Sequence, residues 1–509
     1  MFARVLSGAV LGVDARLIEV QCDIASGLPT FQIVGLPEKE VSESRERIRS
    51  AIKNSGFSFP AGRITANLAP ADVRKGGVGF DLPIALGILI ASEQLSAVPE
   101  RHLIVGELAL NGGVREVPGV LPLALEAANH KLDGLVVPVE NAAEAALVDK
   151  VKAYPISSLT SAVGFLRGDG AVEPHRSDAK HLLESRPDSI RHDIADIRGQ
   201  TEAKRALEIA AAGAHNLLLI GPPGAGKSLL ARCLPELLPP LSFPEALEVT
   251  RIYSIAGLIE RGSSLVVRRP FRAPHQTISY AGMVGGGHGI PGPGEISLAH
   301  HGVLFLDELP EFDRRVLETL RQPLEDRSIL LSRSGVSVRY PASFSLVAAM
   351  NPCPCGFLGD SIQSCTCSFR DVHRYRQRLS GPFLDRIDLF VEVPRLPVED
   401  LLGIAQRSAS SEVRGRVEAA RRAQWERMGG AAERYSNAEL DSNELRLHCA
   451  LNDEATTLLR RAVARFGLSA RGHARVLRVA RTIADLAGAK RIEAAYVAEA
   501  LRYRTQLRA

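Results

Sequence analysis

Short apolar runs alternate with helix-like stretches through the first third of the chain. The predicted strands are residues 17–23 and 135–138, and the predicted helices are residues 41–55 and 121–129. After Arg167 the composition changes to glycine, proline, histidine and aspartate, which is typical of a connecting segment. We therefore expect a first domain over residues 1–167, followed by a linker over residues 168–189.

Three later runs are almost continuously apolar, as is typical of strands that are buried on both faces of a parallel sheet. They are residues 217–220, 303–306 and 344–350. Beyond residue 395, Ala-rich and Arg-rich periodic stretches predict helices throughout. The pattern thus predicts an α/β domain over residues 190–395 and a helical domain over residues 396–509.

Residues 221–228 read Gly-Pro-Pro-Gly-Ala-Gly-Lys-Ser and fit the phosphate-loop pattern G-x-x-x-x-G-K-[ST] in full. A predicted strand precedes the loop and a predicted helix, residues 229–234, follows it. The glycines allow backbone N–H groups to surround a phosphate, and the helix N-terminus adds its positive end. Lys227 is expected to contact the β- and γ-phosphates, and the Ser228 hydroxyl to hold Mg²⁺. The expected ATP contacts are Gly221, Pro222, Pro223, Gly224, Ala225, Gly226, Lys227 and Ser228.

Two of the other predicted strands end in polar residues. Asp307 and Glu308 follow one of them, and Asn351 follows the other. Because the C-terminal ends of parallel strands face the ligand, Asp307 is expected to hold Mg²⁺ and Glu308 to activate the water that attacks the γ-phosphate. Asn351 either holds this water from the opposite side or forms a turn before Pro352.

Composition narrows the class of protein. The 509 residues suffice for about three domains, and 45% apolar and 24% charged residues are ordinary for a globular protein. The net charge of +4 is uneven, because residues 401–509 hold 20 Lys and Arg against 12 Asp and Glu. This basic part is compatible with nucleic-acid binding or with a solvated helical surface. No apolar run is long enough to cross a membrane and no signal-peptide cleavage site follows residues 5–13, so we expect a cytoplasmic protein.

Seven cysteines, an odd number, favour reduced thiols over a disulfide framework. Four of them form the pattern C-x-C-x9-C-x-C: Cys353, Cys355, Cys365 and Cys367. Four thiolates on one loop can hold a tetrahedral structural Zn²⁺, although this spacing is tighter than the usual C-x2-C. An iron–sulfur cluster and free thiols in a proline-rich turn are the alternatives. His300 and His301 have no convincing metal-ligand spacing and are expected to make hydrogen bonds.

In this order, the phosphate loop, the Asp-Glu strand end and the Asn strand end resemble those of an AAA+ ATPase. Upstream, residues 197–200 match the adenine-side segment of such proteins, which makes Ile197 and Gln200 candidate nucleotide contacts. Residues 269–272, 294–302 and 384–388 resemble the magnesium-chelatase and MCM-helicase branch. The resemblance to the bacterial YifB/ComM family of magnesium-chelatase-like ATPases covers the chain from end to end. It implies an α/β AAA+ core with a helical lid.

The resemblance also implies roles for three residues. Asn351 is then the first sensor, Arg386 an arginine finger that reaches the γ-phosphate of a neighbouring subunit, and Arg471 the second sensor at the start of a lid helix. Arginine suits these roles because its permanent charge forks onto phosphate oxygens. The alternative for Arg386 is an ion pair with Asp385 or Asp388. A finger that acts between subunits implies a closed ring, for which the family suggests a homohexamer.

Two stretches resemble channel-facing hairpins of the same branch. The glycine-rich residues 285–294 look like the tip of an insertion, and residues 329–340 alternate about a Ser-Gly pair, which predicts a hairpin. Arg333 at this turn and His288 in the insertion are candidate DNA contacts in the channel of a ring. The alternative is an ordinary surface hairpin.

Residues 106–120 and 134–141 resemble the proteolytic domain of Lon, an α+β fold of the ribosomal-S5 type. That domain works through a Ser–Lys dyad. Here the turn that would carry the serine, residues 76–81, has none, and the lysine position falls near Leu121. We therefore expect no peptidase activity and a role as an interaction or substrate-guiding collar.

The family resemblance implies an ATP-driven hexameric helicase that promotes branch migration during natural transformation. Its partners would be single-stranded and branched DNA and recombination proteins. One alternative is the motor subunit of a metal chelatase, although such subunits lack a Lon-like domain. A second alternative is a protein-remodelling ATPase, which the missing dyad leaves open.

Overall fold

The structure is a computed structural model. It describes residues 1–77, 79–96, 101–169, 172–184, 190–260, 262–287, 289–333, 336–396, 409–430 and 436–505. Within these ranges, two main sheets are followed by a set of packed helices.

The N-terminal part, residues 1–167, contains a seven-stranded mixed sheet. Its strands are β1 (Phe2–Leu11), β2 (Asp14–Ala25), β3 (Thr30–Val34), β4 (Arg63–Ala69), β5 (His102–Ile104), β8 (Gly134–Pro138) and β9 (Lys152–Ile156), and β6 (Glu107–Leu108) and β7 (Val114–Arg115) form a separate ribbon. The helices are α1 (Lys39–Asn54), α2 (Asp81–Ala91), α3 (Val120–Asn129), α4 (Ala142–Ala145) and α5 (Leu159–Arg167). The strand order is β3-β4-β2-β1-β5-β8-β9. The four elements predicted here are confirmed, each with a shift of its ends.

Helix α2 lies in the core of the N-terminal part. All of its residues except Ile90 are buried, because it packs against β1, β2 and α1. The apolar residues 82–91 therefore lie in a core helix. Across the described ranges, no helix combines the length and the apolar character that a membrane crossing requires.

The central part is a five-stranded sheet, and all of its strands are parallel. Its strands are β11 (Phe271–Arg272), β14 (Val303–Leu306), β17 (Ser345–Met350), β10 (Leu217–Ile220) and β18 (Leu389–Glu392), in this spatial order. The helices are α7 (Thr201–Gly213), α8 (Lys227–Leu237), α9 (Phe243–Ile255), α10 (Tyr280–Val284), α11 (Glu295–Leu298), α12 (Arg314–Thr319), α13 (Pro323–Asp326), α14 (Phe369–Arg376) and α15 (Gly381–Leu384). Two hairpins project from it: β12 (Gly285–Gly286) with β13 (Gly292–Pro293), and β15 (Ser328–Arg333) with β16 (Val336–Pro341). The three predicted buried strands are confirmed.

The C-terminal part is helical, as predicted. Its helices are α16 (Ser410–Arg427), α17 (Ser442–His448), α18 (Asp453–Phe466), α19 (Ala470–Leu486) and α20 (Ala494–Thr505). They share one hydrophobic core with α7, α8 and one face of the parallel sheet. This core fixes the helices to the back of the sheet.

The segment that the composition marks as a linker includes a helix, α6 (Ala179–Glu184). Leu182 and Leu183 of this helix pack against a core that also contains Leu241 and Ala246 of the central part. The predicted linker therefore contains a short packed helix, because two adjacent leucines are enough to anchor one helical turn.

The N-terminal part is docked on α9. The Arg251 guanidinium donates to the carbonyl of Val13, with an Nη2–O distance of 2.6 Å, and to the carboxylate of Asp14. One turn further, Ser254 donates to the buried carboxylate of Glu144, which also accepts from the backbone N–H of Leu121. Burial raises the pKa of this Glu144 carboxyl. Polar contacts with buried partners make this interface specific.

His300 and His301 tie α9 to the start of β14. Their Nε2 atoms lie 3.0 and 2.8 Å from one carboxylate oxygen of Glu248. The three side chains could surround a metal ion. However, the backbone N–H of Ser343 donates to His300 Nδ1, so the neutral ring carries its proton on Nε2 and donates it to Glu248. His300 therefore serves as a hydrogen-bonding residue, as expected from the sequence.

Burial lowers the pKa of His300 to about 4, below its ordinary value of about 6.5. The unfolded chain therefore takes up a proton in a range of pH in which the folded protein does not. Stability should fall as the pH drops from about 6.5 to 4, with His300 contributing up to roughly 3 kcal/mol. Thermal unfolding across this range should show a shallower loss for His300→Gln than for the wild type or for His275→Gln, an exposed control. Equal slopes for all three proteins would contradict this role.

Candidate functional site

The phosphate loop joins β10 to α8. Gly224 and Gly226 adopt φ angles of +77° and +89°, which only glycine adopts at low cost. A side chain on Gly221 would collide with the carbonyl of Val393, at 2.1 Å. These backbone requirements explain why the motif needs its glycines and why the loop lies close against the end of β18.

Lys227 is buried at the N-terminus of α8. Its Nζ atom lies 2.6 and 2.9 Å from the carbonyl oxygens of Gly221 and Pro222, and 3.1 Å from Oδ1 of Asn351. Burial lowers the pKa of this amine, and the carboxylates of Asp307 and Glu308 oppose the effect. The side chain therefore joins the phosphate loop to the end of a second strand.

Ser228 joins the loop to a third strand end. Its hydroxyl donates to Oδ2 of Asp307 at 2.6 Å, directly after β14. Because β14, β17 and β10 are neighbours in the sheet, Asp307, Asn351 and the phosphate loop meet at one edge. A hydroxyl and a carboxylate in contact are suitable oxygen ligands for Mg²⁺.

Glu308 is exposed at the same edge, with a φ angle of +51°. Its backbone N–H donates to Oδ1 of Asp307 at 2.9 Å. This left-handed conformation turns the chain sharply after β14, so the carboxylates of Asp307 and Glu308 lie in the same short turn. Strained backbone of this kind is typical of functional sites.

Ile197 and Gln200 lie beside the loop. Ile197 is buried, and Gln200 donates from Nε2 to the carbonyl of Pro394 at 2.6 Å and to that of Ala225 at 3.5 Å. The adenine-side segment is thus connected to the phosphate loop. Contact with adenine itself stays a prediction.

Arg386 and Arg471 lie away from this edge. Arg386 precedes β18, whose other end lies beside the phosphate loop, so about 13 Å of strand separates them. It forms an ion pair with Glu325 at 2.7 Å, not with Asp385 or Asp388 as the alternative proposed. Arg386 is buried, with 7% of it exposed, and also donates to the carbonyls of Arg321 and Pro382. Arg471 is exposed, and both arginines line one cavity of about 830 Å³. This cavity lies at the opposite end of β18 from the phosphate loop of their own chain.

The two hairpins pack against each other. The Arg333 guanidinium donates to the carbonyl of Gly287 at 2.9 Å, and the Tyr340 hydroxyl donates to that of Pro291 at 2.8 Å. The predicted hairpin over residues 329–340 is confirmed, although its two turn residues lie outside the described residues. His288 also lies outside the described residues. The direction of Arg333 toward a channel stays a prediction.

The hairpins also touch the N-terminal part. A side chain on Gly12 would lie 1.9 Å from Val338 of β16, and one on Gly289 would lie 1.9 Å from the carboxylate of Glu38. The projecting hairpins and the N-terminal part are thus in direct contact. Sequence spacing gives no signal for this contact, because the partners are more than 200 residues apart.

The four cysteine sulfurs converge, each within 4.8 Å of the others. Cys353 Sγ lies 3.3 Å from Cys355 Sγ and 3.6 Å from Cys365 Sγ, and Cys355 N donates to Cys367 Sγ. A tetrahedral site with Zn–S bonds of about 2.3 Å requires sulfurs roughly 3.8 Å apart, so the arrangement fits Zn²⁺. Backbone N–H groups of Phe357 and Thr366 lower the pKa of the Cys355 thiol to about 5, which favours its thiolate. Burial and the neighbouring sulfurs raise the pKa of the Cys365 and Cys367 thiols.

The cysteine loop, residues 352–368, lies against the phosphate loop. A side chain on Gly356 would lie 2.6 Å from Cδ of Pro223. Sequence analysis did not single out Gly356, or Glu248 as the partner of the two histidines. A glycine directly after the Cys-Pro-Cys sequence is a signal for a tight turn, but the surface that it approaches is set by the fold.

Three models of protein families match the chain. They are "Subunit ChlI of Mg-chelatase" over residues 20–141, "Magnesium chelatase, subunit ChlI" over residues 193–401, and "Magnesium chelatase, subunit ChlI C-terminal" over residues 407–504. Together they cover most of the chain, including the phosphate loop and the strand ends that carry Asp307 and Asn351.

Similar proteins share its full length. The competence protein ComM of Haemophilus influenzae is 46% identical over 99% of this chain and 98% of its own, and the uncharacterized protein YifB of Escherichia coli is 47% identical over 97% and 96%. The magnesium-chelatase 38 kDa subunit of Rhodobacter capsulatus is 29% identical over 31% of this chain and 49% of its own. The chain therefore belongs to the YifB/ComM family of magnesium-chelatase-like AAA+ proteins.

Proposed function

We propose that the protein is an ATP-driven DNA motor that works as a homohexameric ring. The observation that supports ATP hydrolysis most directly is the meeting of three strand ends, where Ser228 contacts Asp307 and Lys227 contacts Asn351. Membership in a magnesium-chelatase-like AAA+ family supports the same reaction. The DNA-motor role draws further support from the relative that is named a competence protein.

The roles at the site follow from position and charge. The phosphate-loop N–H groups and Lys227 bind the phosphates, and Ser228 and Asp307 hold Mg²⁺, which neutralises phosphate charge when bound. Glu308 accepts a proton from the attacking water, and Asn351 orients this water. The side chain of Glu308 is exposed, so its carboxylate is accessible to water and would be available to accept this proton.

Arg386 and Arg471 are proposed to act on the nucleotide of the neighbouring subunit. Their shared cavity lies at the opposite end of the strands from the phosphate loop of the same chain. A head-to-tail interface that brings this cavity to the next phosphate loop repeats until a ring closes. Two guanidinium groups would then stabilise charge that develops on the γ-phosphate.

Contact with DNA is proposed for the paired hairpins. Arg333 is exposed at the end of β15 and holds the glycine-rich hairpin through the carbonyl of Gly287. In a ring, Arg333 would contact the phosphates of single-stranded or branched DNA, and His288 stays a second candidate from the sequence. We propose that the protein promotes branch migration during the recombination step of natural transformation. It would act in the cytoplasm, together with recombination proteins.

The parts of the chain receive matching roles. Residues 1–167 form a Lon-like domain without peptidase activity, residues 168–189 connect it, residues 190–395 form the AAA+ nucleotide domain, and residues 396–509 form its lid. The N-terminal contacts with both hairpins support a role in guiding substrate. Peptide hydrolysis that depends on residues 1–167 would overturn the first assignment.

The Cys353–Cys367 cluster is proposed to bind one structural Zn²⁺. Its sulfur spacing and the backbone N–H groups that point to the sulfurs suit a metal tetrathiolate. Elemental analysis of purified protein should find about one zinc per chain, and a Cys365→Ser, Cys367→Ser variant should lose it. The matched control Cys22→Ala, which removes a buried cysteine of the N-terminal part, should keep its zinc. Iron with sulfide, or no metal at all, would contradict the proposal.

ATP hydrolysis should be stimulated by single-stranded or forked DNA. Glu308→Gln should lower kcat by about a hundredfold or more, because an amide cannot accept the proton of the attacking water. Glu311→Gln is the matched control, since Glu311 lies three residues further on in an exposed ion pair with Arg378. The measurement is steady-state ATPase activity with and without each DNA.

Two results would contradict the proposal in different ways. A wild-type rate that ignores every DNA tested would shift the assignment to a protein-remodelling ATPase or a chelatase-type motor subunit. Equal rates for Glu308→Gln and Glu311→Gln would remove Glu308 from catalysis.

A further inference from the structure

The cysteine loop touches the phosphate loop at two points. Gly356 adopts a φ of +87°, and its α-carbon lies so close to Pro223 that a methyl group there would be 2.6 Å from Cδ and 2.9 Å from Cγ of the proline ring. At the root of the cysteine loop, Asn351 accepts a hydrogen bond from Lys227 at 3.1 Å. Backbone and side-chain contacts therefore join the two loops directly.

A second route connects the far side of the cysteine loop to the same place. The carboxylate of Asp360 lies 3.2 Å from the guanidinium of Arg395, which also covers the ring of Phe357. The adjacent Pro394 carbonyl accepts from Gln200, whose side chain also reaches the carbonyl of Ala225 in the phosphate loop. The cysteine loop is thus attached to the nucleotide site from both sides.

Hydrophobic burial does not explain how the cysteine loop keeps this position. Residues 352–368 contain no helix or strand, and Leu358 and Ile362 are 38% and 67% exposed. Among the described residues of the loop, only Cys353 has a fully buried apolar side chain. An irregular segment with so little core depends on cross-links, and the four converging sulfurs supply the ligands for one.

We propose that the metal held by the cysteine loop is a structural part of the nucleotide site. It holds Gly356 against Pro223 and Asn351 against Lys227, so that ATP binding and hydrolysis require the metal. Gly356 is a positioning residue in this arrangement, because it acts on phosphates only through the phosphate loop. The proposal rests on the proposed ATPase activity of that loop.

Two glycines of the same loop provide a matched test. Gly356 and Gly359 have nearly equal φ angles, +87° and +81°, so alanine introduces the same backbone strain at either position. A methyl group at Gly356 meets Pro223, whereas one at Gly359 meets nothing within 4 Å. Both variants keep the four cysteines and should retain bound zinc.

The measurement is basal ATPase activity, with KM and kcat determined separately, on full-length protein of known zinc content. We expect Gly356→Ala to lower kcat/KM for ATP by about ten- to a hundredfold and Gly359→Ala to stay close to the wild type. Wild-type protein stripped of zinc by a chelator should show the same loss as Gly356→Ala, and added Zn²⁺ should restore it.

Two outcomes would overturn the proposal: equal kcat/KM values for the two glycine variants, or unchanged kinetics in the zinc-free protein. Binding of a fluorescent ATP analogue, measured in parallel, separates these from a failure of the proposed function. A wild-type protein that binds the analogue but hydrolyses no ATP would contradict the ATPase assignment, while the affinities of the two glycine variants would still decide the role of the cysteine loop.

Discussion

The contact of three neighbouring strand ends is the constraint on which the rest of the structure depends. Because β14, β17 and β10 are adjacent and parallel, the polar residues that follow them lie at one edge. Lys227 and Ser228 on α8 reach across this edge to Asn351 and Asp307. A buried lysine with a lowered pKa needs such polar partners, so the phosphate loop and the two strand ends fold as one unit.

Two parts of the structure contact this unit or the elements next to it: the cysteine loop and the N-terminal part. Toward the cysteine loop, Gly356 and Asp360 attach a cross-linked segment to the nucleotide site. Toward the N-terminal part, α9 carries Arg251 and Ser254 into a buried interface, and the hairpins contact Gly12 and Glu38. Glu248 and the two histidines join α9 to the segment just before β14. Packed elements would therefore connect the proposed nucleotide site with the N-terminal part and, through it, with the hairpins.

Local sequence was sufficient to predict the elements that are proposed to bind phosphate. The phosphate loop is set by glycines at positive φ, and the strands by apolar runs, so both were predictable. The distance of Arg386 from the phosphate loop depends on the direction of β18, which the sequence does not give. Its ion-pair partner, Glu325, lies 61 positions away in the sequence, whereas the two aspartates close in sequence suggested a local ion pair. The helix within the presumed linker and the site of contact of the cysteine loop were also out of reach, because they depend on tertiary packing of Leu182, Leu183 and Pro223.

In the proposed ring, a neighbouring subunit completes each nucleotide site. The most direct measurement mixes Lys227→Ala protein with Arg386→Ala protein, each inactive alone, under conditions that allow subunits to exchange. ATPase activity should return to about a quarter of the wild-type value at equal amounts, because one interface in four then combines an intact phosphate loop with an intact Arg386. If activity does not recover in rings shown to contain both variants, the proposal is contradicted and Arg386 acts within its own subunit.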